Sequence, residues 1–181
     1  MSHLPLWYLG RVEPEICDKV IAELSKQPER DATMGVNGEE TNNQQRNTSI
    51  VFATQDFWFS QTMEQFAHEA NKVCCWDYLI DSREAIQFAK YGVNQHYGWH
   101  VDTFPLSGQL TDRKVSVVCL LNDAGEFEGG QFQARLYQEY TVPLEKGSMI
   151  AFPSSVEHRV IPVTSGFRYS ATMWLHGPRF R

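Results

Sequence analysis

The sequence predicts a mainly β fold with N-terminal helices, of the sandwich or jelly-roll kind. From about residue 85 the chain breaks into short runs rich in β-branched and aromatic residues, separated by Gly, Pro or Asp. Regular short strands with turn signals between them indicate stacked antiparallel sheets. Ahead of them lie two stretches whose apolar residues recur at helical rather than alternating spacing. No internal repeat, low-complexity tract or linker divides the chain. Residues 1–181 are therefore read as one domain, with a helical N-terminal part over about 1–80 and a jelly-roll core over about 85–176.

Taken in order, Pro14 suits the first turn of a helix whose apolar stripe is Ile16, Cys17, Val20, Ile21 and Leu24, and Pro28 ends it. Arg30–Asn47 is polar, contains Asn42-Asn43-Gln44-Gln45, and is too long for an ordinary connection. It is expected to be a mobile loop, either one that closes over substrate or a solvated insertion. Ser49–Ala53 reads as a short strand. A second helix is predicted from about Asp56 to Trp76, with Phe59, Met63, Phe66, Ala67, Ala70, Val73 and Cys74 on one stripe. The β-rich runs follow: Ala85–Tyr91, Lys114–Leu121, Gln131–Tyr137, Ser148–Phe152, Arg159–Val163 and Phe167–Leu175. Gly129-Gly130 supplies a tight turn into the third of these, being too short for a phosphate-binding loop.

Composition narrows the function. A formal net charge of −6 gives no basic footprint for nucleic acid. The longest apolar run, Val117–Leu121, is far too short to span a bilayer. The first residues lack the cationic region and apolar stretch of a secretory signal. Four cysteines in 181 residues do not make a disulfide scaffold, and at least three of Cys17, Cys74, Cys75 and Cys119 are expected as buried thiols. A reducing cytoplasm is the expected setting.

The chemistry concentrates at His100, Asp102 and His158, the pattern His-x-Asp…His. On extended backbone, residues two apart point the same way, so His100 and Asp102 can chelate one ion. Two neutral imidazoles and one carboxylate on one face of a first-row divalent metal leave the other face open to exogenous ligands. His-x-Asp alone is a weak signal; what strengthens it begins ten residues after His158. In the last β-rich run Arg168, Ser170, Thr172 and Trp174 share one face, and Phe167, Tyr169, Ala171, Met173 and Leu175 the other. An arginine followed by two hydroxyls suits a stripe that meets an anion, since a planar guanidinium grips a carboxylate bidentately. The competing reading is an exposed strand face with Arg168 in solvent.

This ordered series resembles the iron(II)- and 2-oxoglutarate-dependent oxygenases, and is most similar to the prolyl 4-hydroxylase-like group with its bacterial PKHD-type members. The matching pieces are Tyr91-Gly92, Tyr97-Gly98-Trp99-His100-Val101-Asp102, Arg113-Lys114-Val115-Ser116 leading to Leu121-Asn122, Gly129-Gly130-Gln131-Phe132, and His158 through Trp174. The resemblance implies a double-stranded β-helix (jelly roll) packed against helices, and an enzyme whose cofactors are Fe(II), 2-oxoglutarate as co-substrate and O2, with ascorbate as a stimulant. It implies that His100, Asp102 and His158 hold the metal and that Arg168 binds the distal carboxylate of 2-oxoglutarate. Some family members place a tyrosine near position 120, whereas this chain has Cys119-Leu120-Leu121. The co-substrate would then lean harder on Arg168, Thr172 and Tyr91, with Trp174 walling the pocket. Related halogenases lack the metal-binding carboxylate, so Asp102 favours hydroxylation, with a peptide or protein as the implied substrate and a peptidyl proline first.

Other features have duller readings. Tyr91 and Trp174 could be core aromatics, and His96, four before His100, sits among Gly92, Asn94 and Gly98 in what reads as a loop at the rim. His3, His68 and His176 have no partner at a recognisable spacing, and Glu126 and Glu128 read as solvated charges. The alternatives to an oxygenase are a cupin-like metal-dependent isomerase or hydrolase, since a fold does not fix chemistry, and a non-catalytic metal-binding module. The lack of a CxxC motif speaks against a zinc deaminase.

Overall fold

The computed structural model describes residues 5–32, 42–104 and 109–179. Strand β1 (Tyr8–Arg11) leads into helix α1 (Pro14–Leu24), then β2 (Arg30–Asp31), β3 (Arg46–Asn47), β4 (Ser49–Phe52) and helix α2 (Phe59–Val73). Next come β5 (Ser82–Arg83), β6 (Gln87–Tyr91), β7 (His96–His100), β8 (Thr111–Leu120), β9 (Phe127–Gly129) and β10 (Phe132–Arg135). The chain finishes with β11 (Glu139–Thr141), β12 (Ser148–Pro153), β13 (Glu157–Val160), β14 (Val163–Gly166) and β15 (Arg168–Pro178).

Helix α1 stops a turn before Pro28, with Ser25 at its C-cap. The proline ring would clash with the carbonyl four residues back, that of Leu24, if the helix ran on. Helix α2 is also shorter than its stripe, and beyond it Cys75 and Asp77 take positive φ (52° and 55°) to turn the chain. The segment expected as a loop around His96 is strand β7. Its Gly98 is there because a Cβ would come within 3.0 Å of the Gln45 side chain, while Gly98 N–H donates to Gln45 O at 2.7 Å. Glycine inside a strand marks such a close approach. The expected loop Arg30–Asn47 is corrected at both ends: Arg30–Asp31 pairs with β4 and Arg46–Asn47 with β7. Its centre, residues 33–41, lies outside the described residues, as does His3. The run Arg159–Val163 divides into β13 and β14 around Pro162, which has no N–H to give a ladder.

The strands form two principal antiparallel sheets. The larger has the order β1-β12-β8-β15-β6-β4-β2, with β5 also on β15; the smaller has β11-β10-β13-β7-β3. Period-two alternation gives the larger sheet two apolar faces. Val115, Val117, Cys119, Ala171 and Met173 pack with Cys17, Val20, Leu24, Phe59, Met63 and Ala67 of the helices. Val118, Ala89, Ile150 and Phe152 pack with Phe132, Ala134 and Val160 of the smaller sheet. Strand β15 thus lies between both cores. Its Ala171, Met173 and Leu175 join the helical side, as the alternation predicted. Cys17, Cys74 and Cys119 are buried free thiols and Cys75 is exposed.

Candidate metal centre

Strands β7 and β13 are antiparallel neighbours, and His158 stands directly opposite His100 in their register. Opposed residues on a ladder have Cβ atoms about 5 Å apart, so two histidines remote in sequence become neighbours. Asp102 lies just past β7, anchored by its own N–H to Ser154 O at 2.9 Å. Both rings engage backbone carbonyls through Nδ1, His100 with Gly98 O at 2.8 Å and His158 with Val156 O at 3.0 Å. A carbonyl only accepts, so the neutral ring carries its proton on Nδ1 and offers an Nε2 lone pair. His100 Nε2 is 3.5 Å from Asp102 Oδ1, and His158 Nε2 is 3.5 Å from Oδ2. The three potential ligand atoms lie within 4.8 Å of one another.

Charge states suit a cation. Burial opposes ionisation of Asp102, but His158, His100 and Arg113 outweigh it and hold the carboxyl well below its usual range. Burial, and then the charge of His100, pushes His158 down to about 4, so its ring is neutral at physiological pH. An anionic oxygen and imidazole nitrogens in one cluster are the donor chemistry of a first-row divalent metal. Ser116 Oγ donates to Asp102 Oδ2 at 2.7 Å and lies 2.9 Å from Ser154 Oγ. Tyr97 stacks on His100 with ring centroids 3.4 Å apart, and Arg46 covers Tyr97 at 4.6 Å. Burial pushes the Tyr97 phenol up to about 12, keeping it protonated.

Tyr91, Arg168, Thr172 and Trp174, the four further residues singled out in the sequence, line one cavity with the triad. Register sets their order. Trp174 pairs with Ser116, which touches Asp102, and Arg168 lies six residues further along β15, opposite Tyr91 of β6. Arg168 is 1% exposed, so the solvent-facing reading of it fails. Its Nη1 donates to Ser170 Oγ at 2.9 Å and its guanidinium sits 5.4 Å from the Tyr91 ring. Among the described residues no carboxylate balances its charge, and burial lowers its pKa. A buried cation lining the same cavity as the metal ligands fits an anionic molecule that can also reach the metal. Gly129 and Gly130 both take positive φ (71° and 65°), and a Cβ on Gly130 would press on Arg168 Cδ at 3.0 Å. The turn glycine therefore also makes room for the arginine.

Sequence reasoning missed several residues around this cavity. Arg113 stacks on Trp174 at 3.8 Å and is gripped by both oxygens of Glu84, at 2.6 and 2.8 Å. His176 Nε2 meets the same Glu84 carboxylate at 2.6 Å, so the histidine without a recognisable partner has one. A one-residue irregularity between β8 and β15 brings Arg113 opposite His176, a bulge that no periodicity announces. Arg46, assigned to the loop, is a second buried guanidinium lining the cavity. His96 does not line it; its ring nitrogens face Asn94 O and Gln44 O at 3.3 and 3.0 Å.

The two-sheet scaffold has counterparts among known proteins. The sequence profile described as the 2OG-Fe(II) oxygenase superfamily matches residues 86–176, and the chain belongs to that family. A PKHD-type hydroxylase of Xylella fastidiosa (strain M23) is 37% identical over 98 residues, covering 49% of this chain and 43% of that protein. Another, of Janthinobacterium sp. (strain Marseille), is 38% identical over 93 residues, covering 49% and 41%. The chain thus spans about two fifths of the length of these curated relatives. Among solved structures, a Pseudomonas putida prolyl-4-hydroxylase superposes with a TM-score of 0.74 at 22% identity, over 95% of this chain and 93% of that one. A prolyl hydroxylase of Trichoplax adhaerens, in complex with a hypoxia inducible factor peptide fragment, gives 0.69 at 16% identity over 94% and 83%. These likenesses establish a shared mainly β fold with few helices.

Proposed function

We propose that this chain is an Fe(II)- and 2-oxoglutarate-dependent dioxygenase that hydroxylates an unactivated C–H bond of an amino-acid side chain, a peptidyl proline first. The observation that carries the reading is one cavity holding two imidazoles, a carboxylate and, six residues along β15, the buried Arg168. His100, Asp102 and His158 would hold the iron. A single carboxylate cancels only half of a dication's charge, so the centre keeps its attraction for an anionic co-substrate. Arg168 would take the distal carboxylate of 2-oxoglutarate in its bidentate fork, with Tyr91 and Thr172 offering hydroxyls and Trp174 forming a wall. When bound, iron and 2-oxoglutarate supply the oxidising chemistry, one dioxygen atom entering the substrate and the other succinate as CO2 leaves. The protein's part is orientation and exclusion of water, to which Val118, Phe132 and Val160 contribute apolar walls.

The two facing antiparallel sheets support a double-stranded β-helix, a jelly roll packed on helices, as the scaffold. The peptide bound in the Trichoplax complex supports a peptide or protein as substrate. Among the described residues no helix is long and apolar enough to cross a membrane. Free thiols and a ferrous metal favour a cytoplasmic setting. The deciding experiment is aerobic incubation with Fe(II), 2-oxoglutarate and proline-containing peptides. The expected result is succinate formation that needs both additions and one added oxygen on a peptide by mass spectrometry. Absence of Fe(II)-dependent succinate from a protein that binds the metal would leave a metal-dependent enzyme of another reaction type or a non-catalytic module.

A further inference from the structure

Asp102 is supported by a part of the fold that the proposed chemistry does not itself use. Ser116 and Ser154 are both fully buried, at 0% exposure. Ser116 sits inside the larger sheet, paired with Phe152 of β12 on one side and Trp174 of β15 on the other. Ser154 follows β12 and is itself fixed three ways. Its N–H donates to Lys114 O at 3.0 Å, its carbonyl receives Asp102 N–H at 2.9 Å, and its hydroxyl is 2.9 Å from Ser116 Oγ. The turn that carries Ser154 also supplies Val156 O, the carbonyl that sets the His158 tautomer.

A serine hydroxyl has one hydrogen, and an ionised carboxylate can only accept. The Ser116 hydrogen is committed to Asp102 Oδ2, at 2.7 Å. The bond between the serines must then run from Ser154 to Ser116. The order is fixed as Ser154, Ser116, Asp102, with every hydroxyl pointing at the carboxylate. Each bond in such a chain polarises the next, strengthening the last. Resting on the metal reading above, we infer that Ser116 and Ser154 are positioning residues: a one-way hydrogen-bond relay that occupies Oδ2, fixes the Asp102 rotamer and leaves Oδ1 as the metal-binding oxygen. Each carboxylate oxygen faces one histidine Nε2 at 3.5 Å, but among the described residues no hydroxyl or amide donates to Oδ1, whereas Oδ2 accepts from Ser116. Groups behind a ligand typically govern metal affinity by about 10–100-fold, because they set the ligand's orientation before the ion arrives.

The test is titration of the metal-free protein with Co(II), followed by calorimetry and by the visible ligand-field spectrum, with no turnover involved. Ser116→Ala is expected to weaken Co(II) by about 10–100-fold and to alter the spectrum as the carboxylate becomes free to engage through both oxygens. Ser116→Thr keeps the donor and is expected to restore both. Ser154→Ala leaves the last bond in place and is expected to lose only several-fold. That variant also carries the test if Ser116→Ala does not fold. A merely structural pair of serines would change the melting temperature of the metal-free protein while leaving affinity and spectrum untouched, and that result overturns the relay. The metal reading has its own control in His100→Ala. If wild-type protein binds no Co(II), or binds it equally well without His100, that reading fails instead.

Discussion

Replacing Arg168 with methionine, which is similar in length and uncharged, separates what the guanidinium does to the free protein from what it does to a ligand. In the free protein it is a cation at 1% exposure, hydrogen-bonded to Ser170 and facing the Tyr91 ring at 5.4 Å. Burial of an ion without a counter-ion costs several kcal/mol, and a ring at that distance returns about 1–2. Arg168→Met should therefore leave the ligand-free protein as stable as wild type, or raise its stability by about 1–3 kcal/mol. That gain corresponds to about 2–12 °C of melting temperature for a domain of this size. With 2-oxoglutarate present the order reverses. A partly desolvated guanidinium–carboxylate pair is worth about 2–5 kcal/mol, or about 30- to several-thousand-fold in affinity. At a hundred times its dissociation constant the co-substrate should stabilise wild type by about 2.7 kcal/mol, a rise of about 5–10 °C. The variant should show at most about a third of that rise at the same concentration, since a roughly 30-fold loss leaves about 0.9 kcal/mol and a larger loss leaves less. Differential scanning fluorimetry with Mn(II), with and without 2-oxoglutarate, measures both effects, and Arg168→Lys should fall between. A variant that is less stable alone yet responds to 2-oxoglutarate like wild type would show that Arg168 is a packing residue, and the argument from its missing partner would fail.

His100→Ala, Asp102→Ala and His158→Ala should each remove most iron affinity and essentially all turnover while circular dichroism stays native. Retained metal stoichiometry in all three would move the site elsewhere. Glu84→Gln should cost about 1–3 kcal/mol near neutral pH, because Arg113 loses a carboxylate that is mostly shielded from solvent. Burial raises the Glu84 pKa, but the His176 and Arg113 contacts outweigh it and hold the carboxyl below its ordinary 4.5. Its stabilisation is thus fully present above that value and is lost as pH falls through the lower folded pKa, so the two stability curves should converge in acid. A gap that stays constant with pH contradicts this. Gly130→Ala, at φ 65° and with a Cβ 3.0 Å from Arg168 Cδ, should cost about 1–3 kcal/mol and raise the KM for 2-oxoglutarate. An unchanged KM would confine Gly130 to its turn.

What the sequence made legible is what depends on alternation. His100 and Asp102 face the same way because they are two apart, and Arg168 through Trp174 line a cavity because β15 alternates strictly. Strand β7 was hidden because Gly98 imitates a loop signal, while its real cause, the crossing of Gln45, is non-local. Arg113 stands in a run that matches the family, but its place over Trp174 follows from a bulge in the register with β15. Glu84 and His176 lie far apart in the chain, and nothing in the spacing of either points to the other. Arg46 looked like loop polarity; only its pairing with Tyr97 across β3 and β7 turns it inward.

The placing of the three ligands has a mechanical side. Both imidazoles belong to the smaller sheet, opposed across β7 and β13, whereas the carboxylate between them is held from behind by Ser116 of the larger sheet. An ion bound there would act as a rivet through the sandwich, fastening its two leaves. Binding energy would then be spent partly on holding the leaves together, and amide protons of β7, β8 and β13 would exchange together, slowing as a group once metal is added.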